Sequence, residues 1–400
     1  MMRIKTEAET LRSAISQVKQ FCGSGKVLPI LRSVKVEASG NSLTLSATDM
    51  DTWITLKVDG VEVEEEGVAL FPSDELSRLL LHTDGQVEIE VPELGENEWG
   101  GRMTLRLDRS IYRLPIFNPN EYPDPADALS TLSTGAVELV VDGSEFASAL
   151  RLVAPFADHP SSRFSSPVLK EIMLCCTNGV LEIVATDAYK LALVKLTSKE
   201  ATGKGEIKVL VPAMKVSAIA NLCEREPNLR LKLKDDNAVG FFGEGWSVVQ
   251  TLKALTPYDY QKALPDFSTL TTTIELSNCK AVSDFLTKVM KQFRGKEKER
   301  AKVKVSCKPQ EGIITLTALD SDDEEVAVKR LSAKVNGEGG EWLFRLNLLS
   351  DVVSAVQKFP VKVSLRKESE HRIPLMAIQV AEPLPFEFLG LLAAIPVSQV

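Results

Sequence analysis

Leu43-Thr44-Leu45-Ser46-Ala47-Thr48-Asp49 decides the reading of this chain, because its pattern occurs three times. Apolar and polar residues alternate with a period of two, which marks a strand with one buried face. The same strand, again ending in Ala-x-Asp, returns as Leu181-Glu182-Ile183-Val184-Ala185-Thr186-Asp187 and as Ile314-Thr315-Leu316-Thr317-Ala318-Leu319-Asp320. The three aspartates stand 138 and 133 residues apart, so three periods account for all 400 residues. An aspartate just past a strand caps the N–H groups of a turn, and that is the simplest role for Asp49, Asp187 and Asp320.

The flanks of this strand repeat as well. Upstream of each copy, apolar residues at helical spacing predict an amphipathic helix: Leu11, Ala14, Ile15 and Val18, then Phe146, Ala149, Leu150 and Val153, then Val282, Phe285, Leu286 and Val289. Downstream, a second helix is expected over 73–81, 213–223 and 348–356. In the first two copies it follows an apolar-proline pair, Phe71-Pro72 and Val211-Pro212, and proline suits a first helical turn. Short alternating strands come next, around Val87, Leu229 and Val361. Proline-rich stretches over 118–127 and 256–266 read as linkers, which places three similar domains at 1–125, 135–256 and 268–400.

Composition places these domains in an ordinary class. At 44% hydrophobic and 26% charged the chain reads as globular, and its apolar runs fall short of the roughly 20 residues of a membrane span. Met1-Met2-Arg3-Ile4-Lys5 leads into a charged segment without a signal-peptide core, so a cytoplasmic protein is expected. Cys22, Cys175, Cys176, Cys223, Cys279 and Cys307 show no CxxC spacing and read as small buried hydrophobes.

Catalytic and metal motifs do not emerge, so no enzyme and no cofactor or metal is expected. His82, His159 and His371 are isolated from one another. Cys22-Gly23-Ser24-Gly25-Lys26 lacks the first glycine, the Ser or Thr after the lysine, and the preceding strand of a phosphate loop. The acidic run 320–325 lacks the spacing of a calcium loop. A catalytic site is normally unique, whereas the aspartates recur at equivalent places. An enzyme with a dispersed site, built for example from Asp49, Asp187 and His159, and a β-rich scaffold binding only proteins stay open as alternatives.

The domains are expected to be α+β, each a β-sheet layer with two helices on one face. Tandem copies with a constant rotation between them build an arc, which can close with a symmetry mate into a ring. The net charge of −8 opposes a conventional nucleic-acid domain, but an acidic protein can still present a basic inner surface.

Three segments carry a resemblance to a known family. Lys26-Val27-Leu28-Pro29-Ile30-Leu31-Arg32-Ser33-Val34, followed by the first repeat strand, resembles the opening of the bacterial DNA polymerase III beta subunit, the DNA sliding clamp. Ala185-Thr186-Asp187-Ala188-Tyr189-Lys190-Leu191-Ala192 resembles the family's middle-domain signature, and Ala393-Ala394-Ile395-Pro396-Val397 its C-terminal tail. The resemblance implies three tandem DNA-clamp domains with their helices on the inner face of a head-to-tail homodimeric ring. It also implies a processivity factor in DNA replication. Its partners would be double-stranded DNA held without sequence preference, the DNA polymerase III core, other polymerases and repair proteins that dock short linear motifs, and a clamp loader complex.

The resemblance further implies site residues. The partner-peptide cleft would take Leu169, Thr186, Tyr189, Lys190 and Leu191 from the middle copy, Pro257, Lys262 and Ala263 from the linker, and Ile395, Pro396 and Val397 from the tail. The signature usually reads Gly, then His or Tyr, then Arg, where this chain has Ala188-Tyr189-Lys190. Its tail also runs on as Ser398-Gln399-Val400, where a basic residue is common. DNA contacts would come from Lys19, Lys26, Arg151, Arg163, Lys215, Lys288, Lys291 and Arg294, although Asp74-Glu75 and Ala213-Met214 stand where basic residues are frequent. Ring closure would pair the strand holding Ile111, Tyr112 and Leu114 with the region of Val289 and Met290.

Overall fold

The computed structural model describes the chain apart from residues 96–97, 125, 133–134, 160–164, 204, 235–237, 252, 278, 370–372, 381–383 and 397–400 and the side chains of 126–128. The predicted upstream helices form at Ala8–Lys19, Gly143–Val153 and Cys279–Met290. Their apolar stripes are buried, Leu11, Ile15 and Val18 in the first and Val282, Leu286 and Val289 in the third. The downstream helices are Ser73–Leu80, Val216–Cys223 and Leu346–Ala355. In the middle copy the helix is preceded by a tight three-residue turn, Ala213–Lys215, within the span expected to be helical throughout.

The sheets depart from the expected single layer, because each repeat divides its strands between two sheets. In the first repeat Met2–Glu7, Glu62–Glu65, Gln86–Val91, Gly100–Leu107 and Ser110–Phe117 build one five-stranded sheet. Its other four strands, Ser33–Ser39, Ser42–Thr48, Thr52–Asp59 and Gly67–Pro72, lie in a nine-stranded sheet. That sheet is completed by five strands of the middle repeat, with Trp246–Thr251 laid antiparallel on Thr52–Asp59. A second nine-stranded sheet joins the other four strands of the middle repeat to five of the third, through Lys190–Thr197 paired with Glu387–Ala393. The four left over, Lys302–Lys308, Ile313–Leu319, Glu325–Ser332 and Gly340–Arg345, make a separate sheet. Five strands and four strands therefore recur in every repeat.

By compactness the chain divides into two units. The first holds residues 1–144, 199–209 and 217–254, and the second holds 145–198, 210–216 and 255–400. In the first, the Ala8–Lys19 and Ser73–Leu80 helices pack against each other. In the second, Cys279–Met290 packs on Leu346–Ala355. The core of the second unit gathers Met173, Val184, Leu191, Leu193, Leu375 and Leu391.

The stretch 256–266, read as a linker, is part of that core. Tyr260 is buried, and its hydroxyl donates to the Glu182 carboxylate, while the Tyr258 hydroxyl donates to the Val184 carbonyl at 3.2 Å. Burial pushes both phenols far above their usual range, so they stay protonated donors.

Candidate functional site

The site begins at the turn after the middle repeat strand. Thr186 Oγ1 accepts from the Ala188 N–H at 3.1 Å and donates to the Lys190 carbonyl at 2.7 Å. Asp187 Oδ1 accepts from the N–H groups of Tyr189 and Lys190 at 2.9 and 2.8 Å. The capping role expected for the repeated aspartate is the role it has. Ala188 sits at a φ of +76°, in the left-handed region. A Cβ is strained there, which is the physical reason a glycine suits this position.

The turn points Tyr189 outward, 52% exposed, and drives the Lys190 side chain inward to 4% exposure. The Lys190 ammonium pairs with Asp351 of the Leu346–Ala355 helix and lies 3.7 Å from Asp187. Burial raises the Asp187 pKa, opposed by the Lys190 charge and by the two backbone N–H groups. Lys190 was expected among the cleft residues. Its charge is spent inside the protein, tying the cleft wall to a helix.

Beside this turn opens a cavity of about 400 Å³. Thr186, Tyr189, Lys190 and Leu191 line it, together with Lys262 and Ala263, as the sequence suggested. Leu264, Ile373, Leu375, Leu391 and Ala393 complete an apolar wall that the sequence reading missed, and Arg366 stands at its rim. Alternation in the strands Leu375–Val380 and Glu387–Ala393 was the available signal, but nothing local says which face of a strand meets a cavity. Leu191 serves both readings, being 5% exposed in the core and present in the wall. Leu169 and Pro257 are half-buried nearby in the chain but do not line this cavity.

A second cavity, about 570 Å³, adjoins the first across Tyr189 and Ala393. Ile395 and Pro396 line this one rather than the first. The Ile395 N–H donates to the Leu343 carbonyl at 2.7 Å, which fixes the tail along the Gly340–Arg345 strand. Val397 lies outside the described residues. A larger cavity of about 900 Å³, around the Glu275–Lys334 ion pair, is set apart from this turn and its apolar walls.

Residues 2–126 match the profile of the DNA polymerase III beta subunit, N-terminal domain. The Beta sliding clamp homolog GriR of Streptomyces muensis is 27% identical over 356 residues, 88% of this chain and 87% of that protein. The DNA polymerase sliding clamp of Bacillus subtilis superposes at a TM-score of 0.79 with 18% identity, over 99% of both chains. The Pseudomonas aeruginosa clamp solved bound to griselimycin superposes at 0.78 with 17% identity, over 99% of this chain and 100% of that one. At those identities the superpositions show the fold. The chain is similar to sliding clamps of the DNA polymerase III beta subunit family, in sequence over 88% of its length and in fold over 99%.

The basic residues considered for DNA fall into three groups. Lys26, Lys288, Lys291 and Arg294 are exposed. Lys19 is held by Asp74 at 2.7 Å, a bond that pulls the Asp74 pKa down, so its charge is largely compensated. Arg151 and Lys215 engage neighbouring groups, and Arg163 lies outside the described residues.

For ring closure, the Ser110–Phe117 strand is the edge of its sheet, with Ile111 at 62% and Tyr112 at 37% exposure and Leu114 half-exposed. Val289 corrects the expectation. It is 2% exposed, on the buried stripe of its own helix, and Met290 is half-buried. The exposed apolar edge in the third repeat is instead Glu325–Ser332, where Val326 and Val328 are 38% and 42% exposed.

Among the described residues no helix is long and apolar enough to cross a membrane.

Proposed function

We propose that two copies of this chain close head to tail into a ring around duplex DNA and hold replicative polymerases and other partners there through the cleft at Tyr189. The supporting observation is a coincidence in one chain. A five-strand and four-strand arrangement recurs three times, and an apolar cavity stands open at the middle Thr-Asp turn. On this reading the chain is a cytoplasmic processivity factor of three clamp domains, 1–125, 135–256 and 268–400, that catalyses nothing itself and is opened by a clamp loader.

Closure would join the Ser110–Phe117 edge of one protomer to the Glu325–Ser332 edge of its partner. Unpaired N–H and C=O rows flanked by exposed aliphatic side chains suit such pairing. DNA would be touched loosely by Lys26, Lys288, Lys291 and Arg294, which position a duplex without reading its sequence. Partner motifs would place apolar side chains against Leu375 and Leu391, beside Tyr189.

The test is topological. Light scattering should give twice the 43.8 kDa chain mass. Protein loaded on a nicked circle should stay bound and leave once the circle is cut. A persistent monomer at micromolar concentration, or retention on linear DNA equal to that on the circle, would overturn the reading.

A further inference from the structure

The chain joins the sheets of neighbouring repeats twice, once inside each compact unit, and both joints keep one register. On one side of each joint, Ile54 and Ala192 are equivalent, because they face Ala47 and Ala185 of the Ala-x-Asp strand. On the other side, the ladder runs outward from Leu231 through Phe241 to Val248, and from Val363 through Ile378 to Gly390. Val248 lies opposite Ile54, and Gly390 lies opposite Ala192. Each joint also ends on the same bond, three residues further on. The Thr251 N–H donates to the Asp51 carbonyl at 2.8 Å, and the Ala393 N–H donates to the Tyr189 carbonyl at 2.9 Å.

The two strand edges assigned to ring closure are the remaining copies of these partners. The ladder from Ile89 through Leu105 ends at Tyr112, and Ala318 of the third Ala-x-Asp strand faces Ala327. Resting on the ring reading above, we infer that the joint between copies repeats this register and that Pro115 withholds the bond that ends the other two. Tyr112 then lies opposite Ala327 of the partner subunit, and Ile111 opposite Val328 of the partner subunit. Pro115 stands three residues after Tyr112, where Thr251 and Ala393 stand in the internal joints, and proline has no N–H to donate. Its nitrogen faces the open edge. The hairpin closes at Leu107 and Ser110, and hydrogen-bonded pairs alternate from there, which leaves Arg102 and Pro115 in a pair without bonds. A proline at an edge blunts it.

Two further features act in the same direction. The opposing strand is irregular at this end, since Ala318 faces Ala327 but Leu319 faces Glu325, leaving Val326 as an extra, bulged residue. At the other end, Lys195 faces Glu387 in the second joint, whereas the shared register sets Arg330 against Arg109. Like charges directly opposite each other destabilise a strand pair. The joint between copies is thereby the weakest in the circuit, and the ring parts there.

Two measurements test this. In Tyr112→Cys/Ala327→Cys, mild oxidation should give a covalent dimer on a non-reducing gel, since facing residues lie about 4.5–5.5 Å apart at Cα, within disulfide reach. Tyr112→Cys/Lys329→Cys, displaced about 7 Å along the strand, should stay uncoupled. The wild type is the blank, five of its six cysteines being buried. In sedimentation velocity, Pro115→Ala should lower the dimer dissociation constant about fivefold or more, whatever the salt, by returning one backbone donor per joint. Arg109→Glu should lower it in dilute buffer, with the gain fading in about 0.5 M salt. Circular dichroism should show these surface variants folded. Coupling through Lys329 instead, or through neither pair in a protein that dimerises, would overturn the register. A dimer left unchanged or loosened by Pro115→Ala would overturn the role of Pro115 and leave the ring standing. A monomer in the wild type and every variant would remove both this inference and the ring.

Discussion

The Thr-Asp turns of the first and middle repeats have one backbone and two fates. In the first, Thr48 Oγ1 accepts from the Met50 N–H at 2.9 Å, and Asp49 Oδ1 accepts from Asp51 and Thr52 N–H at 3.2 and 2.7 Å. Met50 has a φ of +80°, matching Ala188. What differs is the residue that follows. Thr52 turns its hydroxyl to buried Gln250 at 2.5 Å, sealing the turn against the neighbouring strand. Lys190 instead reaches a helix, and the space beside Tyr189 stays open. A repeated turn is thus a support, and its neighbours decide whether it becomes a site.

The comparison breaks most readily at Lys190. Lys190→Met should cost about 2–3 kcal/mol in denaturant unfolding, because it strands Asp187 beside an apolar side chain. Thr52→Val should cost about 1 kcal/mol, the loss of one buried hydrogen bond. Equal costs would mean the two turns are tied in equally. Next, Tyr189→Ala should weaken an apolar peptide by about 2 kcal/mol without altering the unfolding midpoint, and Asp51→Ala should leave peptide binding unchanged.

Glycine sharpens the likeness rather than the contrast. Ala188→Gly and Met50→Gly should each stabilise by about 0.5–1 kcal/mol, since relief of a left-handed Cβ exceeds the entropy that glycine loses on folding. Unequal gains would show that one turn is more constrained than its dihedral implies.

The smallest effect is in acid. The folded pKa of Asp187 is raised, so its contribution to stability is fully present below the unfolded aspartate value of about 3.9 and is lost as pH rises through the folded value. Asp74 is the reverse. Its pKa is lowered by Lys19, so its contribution is present above the unfolded value and is lost as pH falls through the folded one. Between pH 7 and about 3, Asp187→Asn and Asp74→Asn should therefore shift the stability difference from wild type in opposite directions. Each shift should be on the order of 1 kcal/mol or less, given the exposure of Asp74. Shifts of the same sign would remove burial as the cause at Asp187.

The threefold order of elements was legible because period-2 strands and amphipathic helices write themselves locally. Leu11, Ile15 and Val18 needed no knowledge of the rest of the chain. Sheet membership was not legible. Nothing in Thr52–Asp59 announces that its partner is Trp246–Thr251, nearly two hundred residues on. The cleft was half legible for the same reason. Turn residues and the linker's Lys262 carry a local motif, whereas Leu375 and Leu391 reach the wall only through strand pairing. Val289 misled because an apolar helix residue looks like an interface until its burial is known.

The division of each repeat between two sheets bears on how the gene could be cut. Shears applied at Gly135 would fall between the Ala126–Thr131 helix and the Val137–Val141 strand, yet the Thr52–Asp59 strand would lose the neighbour that covers it and present a raw, eight-residue rung row to solvent. An isolated first repeat would accordingly be sticky, prone to recruiting stray strands from other molecules.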